Sequence, residues 1–77
     1  MAATMKTMEW RIVDTLYPDQ LEIGDNIYTE DGLAEIVEII ENANGITVNV
    51  IDEYGDILEV DFSDNDMVDI FMLFDED

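Results

Sequence analysis

The sequence predicts a mainly β domain, and three observations carry that prediction. Between Leu33 and Phe62 two turn signals, Asn42-Ala43-Asn44-Gly45 and Asp52-Glu53-Tyr54-Gly55-Asp56, each separate apolar runs that can pair. Those runs are rich in Ile and Val, which suit a pleated surface. Ile46-Thr47-Val48-Asn49-Val50-Ile51 and Ile57-Leu58-Glu59-Val60-Asp61-Phe62 also alternate with the two-residue period of a half-buried strand. The result is a three-strand meander, too small to bury a core alone, so the flanking segments must close over it.

In chain order, residues 1–7 read as a flexible leader, 8–74 as a single domain and 75–77 as an acidic tail. From Met8 an extended strand places Met8, Trp10, Ile12 and Asp14 on one side and Glu9, Arg11, Val13 and Thr15 on the other, with Trp10 expected to anchor the segment to the core. Tyr17-Pro18 forces an extended conformation before the proline, and a short 3₁₀ turn is expected around Asp19 to Leu21. Gly24-Asp25 supplies a bend, Asn26 to Thr29 a strand, and Glu30-Asp31-Gly32 a turn into Leu33, with Asp-Gly and Asn-Gly both signalling primed hairpin turns.

Leu33 to Glu41 supports two readings. Leu33, Ile36, Val37 and Ile40 sit at helical spacing with Glu35, Glu38 and Glu41 opposite. Against a helix stand the β-branched residues within Ile36–Ile40 and the lack of a cation in the last turn. A long strand with a bulge near Val37 accommodates the same residues, because a bulge changes which parity faces inward. The strand is the favoured reading, and a helix at 33–42 in an α+β fold is the alternative. Beyond the meander, Ile46, Val48, Val50, Leu58, Val60 and Phe62 are expected to face the core. Ser63 to Asp66 reads as a turn. Met67 to Phe74 is the last strand, with Val68, Ile70 and Met72 completing the core and Phe71 and Leu73 outward.

Charge is the extreme feature of the composition. Two cations, Lys6 and Arg11, stand against 21 carboxylates, for a formal net charge of -19 in 77 residues. Everything after Arg11 is acidic or neutral. A chain that is 48% hydrophobic, with its acids interleaved among apolar residues, can fold despite that charge. Its stability should rise as salt screens the repulsion. Direct binding to nucleic acid or to an anionic membrane is disfavoured, and no apolar run reaches the ~20 residues of a membrane span. The chain has no Cys and no His, which removes thiolate and imidazole metal sites and makes a reducing, cytoplasmic compartment the default.

The run Leu21-x-x-Gly24-Asp25-x-Ile27, then Asp31-Gly32, Asn44-Gly45, Asp52-x-x-Gly55 and Asp66-x-Val68-x-Ile70, resembles the small SH3-like barrels. It is particularly similar to the short acidic SH3-like proteins of bacteriophage genomes. The resemblance covers Leu21 to Phe71 and implies a small SH3-like barrel of about five strands with an N-terminal extension. It also implies a viral accessory protein working in the host cytoplasm. Nucleic-acid-binding relatives carry basic residues on the barrel, and this chain lacks them there.

Carboxylates on a rigid surface can imitate DNA phosphates and occupy the basic groove of a nucleic-acid-binding protein. A charge of -19 exceeds the magnitude of about 2–8 that solubility asks of a small domain. The expected function is therefore non-enzymatic binding of a basic protein surface, on a host nucleic-acid-binding or defence protein, by a DNA mimic acting as inhibitor. The candidate contact residues are Glu35, Glu38, Glu41, Asp52, Glu53, Asp56, Glu59 and Asp61. The competing expectation is an assembly module, a homodimer through Trp10, Phe71 and Leu73. Asp61, Asp64 and Asp66, or Asp52, Glu53 and Asp56, do not match the spacing of a calcium-binding loop. No metal and no cofactor is expected. With no His, no Cys and a single Ser63, nucleophilic and general-base schemes lack parts, and no enzymatic activity is expected.

Overall fold

The structure, a computed structural model, describes residues 7–76. Six strands run β1 (Thr7–Leu16), β2 (Asn26–Thr29), β3 (Gly32–Asn42), β4 (Gly45–Asp52), β5 (Ile57–Ser63) and β6 (Val68–Glu76). They form a single antiparallel sheet in the order β1-β6-β2-β3-β4-β5. A one-turn 3₁₀ helix, Pro18–Gln20, follows β1 and touches β4 near the far end of that order. The sheet is thus curled, barrel-like, around one core.

That core is made by the alternation read from the sequence. Ile27, Ile36, Val48 and Val50 are fully enclosed, and Leu21, Ala34, Ile46, Val68 and Ile70 are buried beside them. Leu58, Val60 and Phe62 pack against this cluster from β5. Burying so many branched aliphatic side chains, at roughly 1.5–3 kcal/mol each, is the main force closing the sheet.

The N-terminal extension expected beside a five-strand barrel is itself the sixth strand. Of the proposed leader, 1–6 lie outside the described residues, and Thr7 already belongs to β1. The acidic end expected as a tail is also strand as far as Glu76, with Asp75 opposite Met8; Asp77 lies outside the described residues.

Leu33–Glu41 is strand, which overturns the helical alternative. The ladder to β4 slips between Ile36 and Glu38, so Val37 is the extra residue of a bulge. The bulge shifts which parity faces inward, so Ile36 and Ile39 both face the core although they are three apart, while Val37 and Ile40 of the helix-spaced set stay exposed. The preceding loop braces Ile36 from the other side, with Ile36 N–H donating to the Asp25 carbonyl at 2.9 Å and Gly24 N–H to the Ile36 carbonyl at 2.9 Å.

Neither dipeptide turn signal forms a primed turn. Among the described residues only glycines have positive φ. Glu30 and Asp31 make an ordinary two-residue tip, and Gly32, at φ 103°, takes up the reversal after it. At the second hairpin Gly45 pairs with Asn42 across Ala43-Asn44 without positive φ. It is required for space instead: a Cβ there would fall on the Phe62 carbonyl oxygen of β5.

Two packing expectations fail in the same place. Trp10, 40% exposed, does not anchor the core, and Met72, 54% exposed, does not complete it. The β2–β6 pairing is confined to Asn26 opposite Phe71. Beyond Phe71 the partner of β6 is β1, through Ile12–Phe71, Arg11–Met72, Trp10–Leu73 and Glu9–Phe74. The two strands therefore leave the body as a ribbon, consistent with extents of 59 × 24 × 18 Å.

Candidate partner-binding surface

Residues directly opposite in an antiparallel ladder share a face of the sheet. On β3, β4 and β5 the rows Ile36–Val50–Leu58 and Ile39–Val48–Val60 point inward. The intervening rows therefore point outward: Glu35–Ile51–Ile57, Glu38–Asn49–Glu59 and Ile40–Thr47–Asp61. Four of the eight predicted acidic residues, Glu35, Glu38, Glu59 and Asp61, thus lie together on one outer face, all exposed.

The polar residues of β4 tie this face together. Asn49 Nδ2 donates to Glu38 Oε1 at 2.5 Å, and the Thr47 hydroxyl donates to Asp61 Oδ1 at 2.6 Å while accepting from Asn42 Nδ2 at 2.6 Å. These bonds orient two carboxylates and keep the neighbouring strands in register. From strand geometry, Glu59 and Asp61 stand about 7 Å apart along β5, and Glu38 and Glu59 about 9–10 Å apart across β4. Among the described residues no cation intervenes. The result is a fixed lattice of negative charge on a rigid support, which can present oxygen acceptors to Lys and Arg side chains of a partner.

The other four predicted acids are placed differently. Glu41 pairs with Ile46 in the row of Phe62, on the inward pleat at the open end of the sheet. Glu53 and Asp56 are exposed in the β4–β5 turn. Asp52 is buried, and its Oδ1 accepts from the backbone N–H groups of Tyr54 and Asp56, both at 2.9 Å. Its carboxylate closes the turn and is not offered outward. Sequence reasoning missed the roles of Asn42, Thr47 and Asn49. For Thr47 and Asn49 the signal is their alternation on β4, between two acid-bearing neighbours, and Asn42, the last residue of β3, follows from them once register is known.

The ribbon forms the second surface. Trp10, Ile12, Leu73 and Phe71 share the face that continues the outside of the body, where Phe71 meets Tyr28 with ring centroids 6.2 Å apart. Glu9, Arg11, Met72 and Phe74 share the opposite face. There Arg11 lies 5.3 Å from the Phe74 ring centre and 3.0 Å from Glu9 Oε2. The three residues predicted for an oligomer interface, Trp10, Phe71 and Leu73, are thus brought together; Met8, Ile12, Met72 and Phe74 were not predicted and are also exposed.

Among the described residues no three His, Cys, Asp or Glu side chains are gathered as a metal site, and no helix is long and apolar enough to cross a membrane. A cleft of about 620 Å³ at the base of the ribbon is lined by Val13, Asp14, Glu22, Asp25, Ile70 and Met72, among others, away from the acidic lattice. No family model, curated protein or solved structure matches the chain.

Proposed function

We propose that this chain is a non-enzymatic accessory protein of the phage type that binds a basic protein surface in the host cytoplasm. In this reading the outer face of β3–β5 stands in for nucleic-acid phosphates and so inhibits a nucleic-acid-binding or defence protein. One observation carries it: Glu35, Glu38, Glu59 and Asp61 occupy neighbouring rows of one outer face, in a chain with no cation after Arg11. Charge arranged this way draws basic surfaces at long range and gives up affinity steeply with salt.

The test is capture from bacterial lysate on the tagged protein, washed at low and high salt, with and without double-stranded DNA. A basic nucleic-acid-binding protein should be retained at low salt and released by either DNA or high salt. The variant Glu35→Gln/Glu38→Gln/Glu59→Gln/Asp61→Asn should lose that protein while keeping its β circular-dichroism spectrum. Retention by the folded quadruple variant, or a partner indifferent to DNA, overturns the proposal.

A further inference from the structure

The ribbon presents a separate problem from the acidic face, and its own residues specify what can meet it. β1 ends the strand order, so among the described residues it has a single strand neighbour, β6. Its other edge carries backbone N–H and C=O groups able to pair with another strand. Apolar side chains stand exposed on both faces of the ribbon, Met8, Trp10 and Ile12 on one and Met72 and Phe74 on the other. Two-stranded ribbons of this kind are marginal in water without cover.

Charge narrows the choice of cover. Across Met8–Val13 and the β6 residues Ile70–Asp75 beside them the charged residues are Glu9, Arg11 and Asp75, so this stretch is nearly neutral, with one net negative charge, in a chain of net charge -19. A strongly basic partner gains little here, and a second copy of the chain meets less repulsion here than against the acidic face.

Symmetry then selects a register. When two identical edge strands pair antiparallel about a two-fold axis, the axis stands perpendicular to the sheet. Opposed residues must lie on the same side of the sheet, so only pairings whose residue numbers have an even sum are allowed. Centring on residue 9 sets Glu9 against Glu9, and centring on residue 11 sets Arg11 against Arg11. Centring on Trp10 sets Glu9 of each copy against Arg11 of the other, and Met8 against Ile12. The paired segment would run from Thr7 to Val13 and stop at the β1 bulge, where the ladder slips between Ile12 and Asp14; bulges end strand pairing in this way.

We propose that a second copy of the chain adds edge to edge on β1, antiparallel about a two-fold axis at Trp10, with Glu9 and Arg11 exchanging partners between the copies. The Glu9–Arg11 contact within one strand becomes a four-charge cluster across the join. Two curled sheets become one continuous sheet of twelve strands, with an acidic lattice toward each end.

Sedimentation of the full chain over a concentration series should show a monomer–dimer equilibrium that tightens with salt as the remaining charge is screened. Arg11→Glu places carboxylates opposite Glu9, and Glu9→Arg places guanidinium groups opposite Arg11. Each variant alone should dimerise at least about tenfold more weakly. An equimolar mixture of the two should recover a heterodimer, because opposite charges face again across the join although both chains keep like charges within β1. For register, Trp10→Cys, in a chain with no other cysteine, should crosslink to itself on mild oxidation. Opposed Cα atoms in such a ladder are about 4.5–5.5 Å apart, within disulfide range. Met8→Cys, facing Ile12 of the other copy, should not. A chain monomeric throughout the series, a mixture that behaves like its components, or equal crosslinking at both positions overturns the proposal.

Discussion

The curled body and the ribbon are built from the same alternating strands, and they end in opposite situations. In β3 and β4 one parity meets a second layer, and Ile36, Val48 and Val50 are wholly enclosed. In β1 and the outer half of β6 the same alternation is covered only in part: Trp10 borders a shallow hollow with Leu33 and Ile51, and Trp10, Ile12, Met72 and Leu73 stay exposed. An apolar parity thus states only that a face seeks cover. Whether the cover comes from the same chain depends on how far the sheet curls, and here the curl ends at Phe71, the last β6 residue that faces β2.

The sharpest way to break this comparison is to delete one apolar side chain from each region. Ile36→Ala should cost about 2–5 kcal/mol, the range for emptying a fully buried aliphatic site, which is a large share of the stability of a domain this small. Trp10→Ala removes a larger side chain and should cost the monomer less than about 1 kcal/mol, since it leaves no cavity. Urea denaturation followed by circular dichroism, at a concentration where the chain is monomeric, compares the two. Equal losses would mean that the ribbon is part of the core. Hydrogen exchange extends the contrast: amides of β3 and β4 should open only with global unfolding, and those of Met8–Ile12 by local fraying.

A second contrast lies within the body, between two glycines that look alike in sequence. Gly45→Ala forces a methyl group onto the Phe62 carbonyl and should cost about 1–3 kcal/mol by pushing β5 from β4. Gly32→Ala meets nothing closer than a Glu53 carboxylate oxygen at 3.8 Å. It should cost about 1 kcal/mol, from holding a side chain at positive φ. Thermal melting of both variants orders them, and the reverse order would place the strain in the turn and not in the approach of β4 to β5.

These glycines also mark how much was legible beforehand. Asn44-Gly45 and Asp31-Gly32 correctly located two hairpins, because any tight reversal favours such residues. The backbone geometry differs from the primed turn such dipeptides signal because a dipeptide does not report how near the next strand passes. The inward rows of β4 and β5 follow from local preference and period alone, whereas for Leu33–Glu41 the period also fits a helix, and the β-branched residues within Ile36–Ile40 are what favour the strand with its bulge at Val37. The exposure of Trp10 and Met72 follows from neither, since it depends on where β6 parts from β2. On the surface, Glu35, Glu38, Glu59 and Asp61 could be grouped once the meander was aligned. Asp52 could not be set apart from Glu53 and Asp56, because a turn-closing carboxylate and an exposed one look the same in a run of acids.

The smallest expected effect concerns whether the acidic face serves the fold at all. Glu38 and Glu59 flank Asn49, one on each neighbouring strand. At about 9–10 Å in water-like dielectric, two carboxylates repel by roughly 0.3 kcal/mol at ~0.01 M salt and by almost nothing at ~1 M. Glu38→Gln keeps an amide oxygen to accept from Asn49, so the cross-strand bond survives while the charge goes. Glu38→Gln/Glu59→Gln should therefore make the chain slightly more stable at low salt and no different at high salt, read from urea midpoints in the two buffers. That outcome would separate the acidic lattice from the forces that hold the sheet, since carboxylates that cost stability where they stand are retained for what they meet outside the molecule. A loss of stability at both salt concentrations would instead make Glu38 and Glu59 structural residues and weaken the case for a partner on that face.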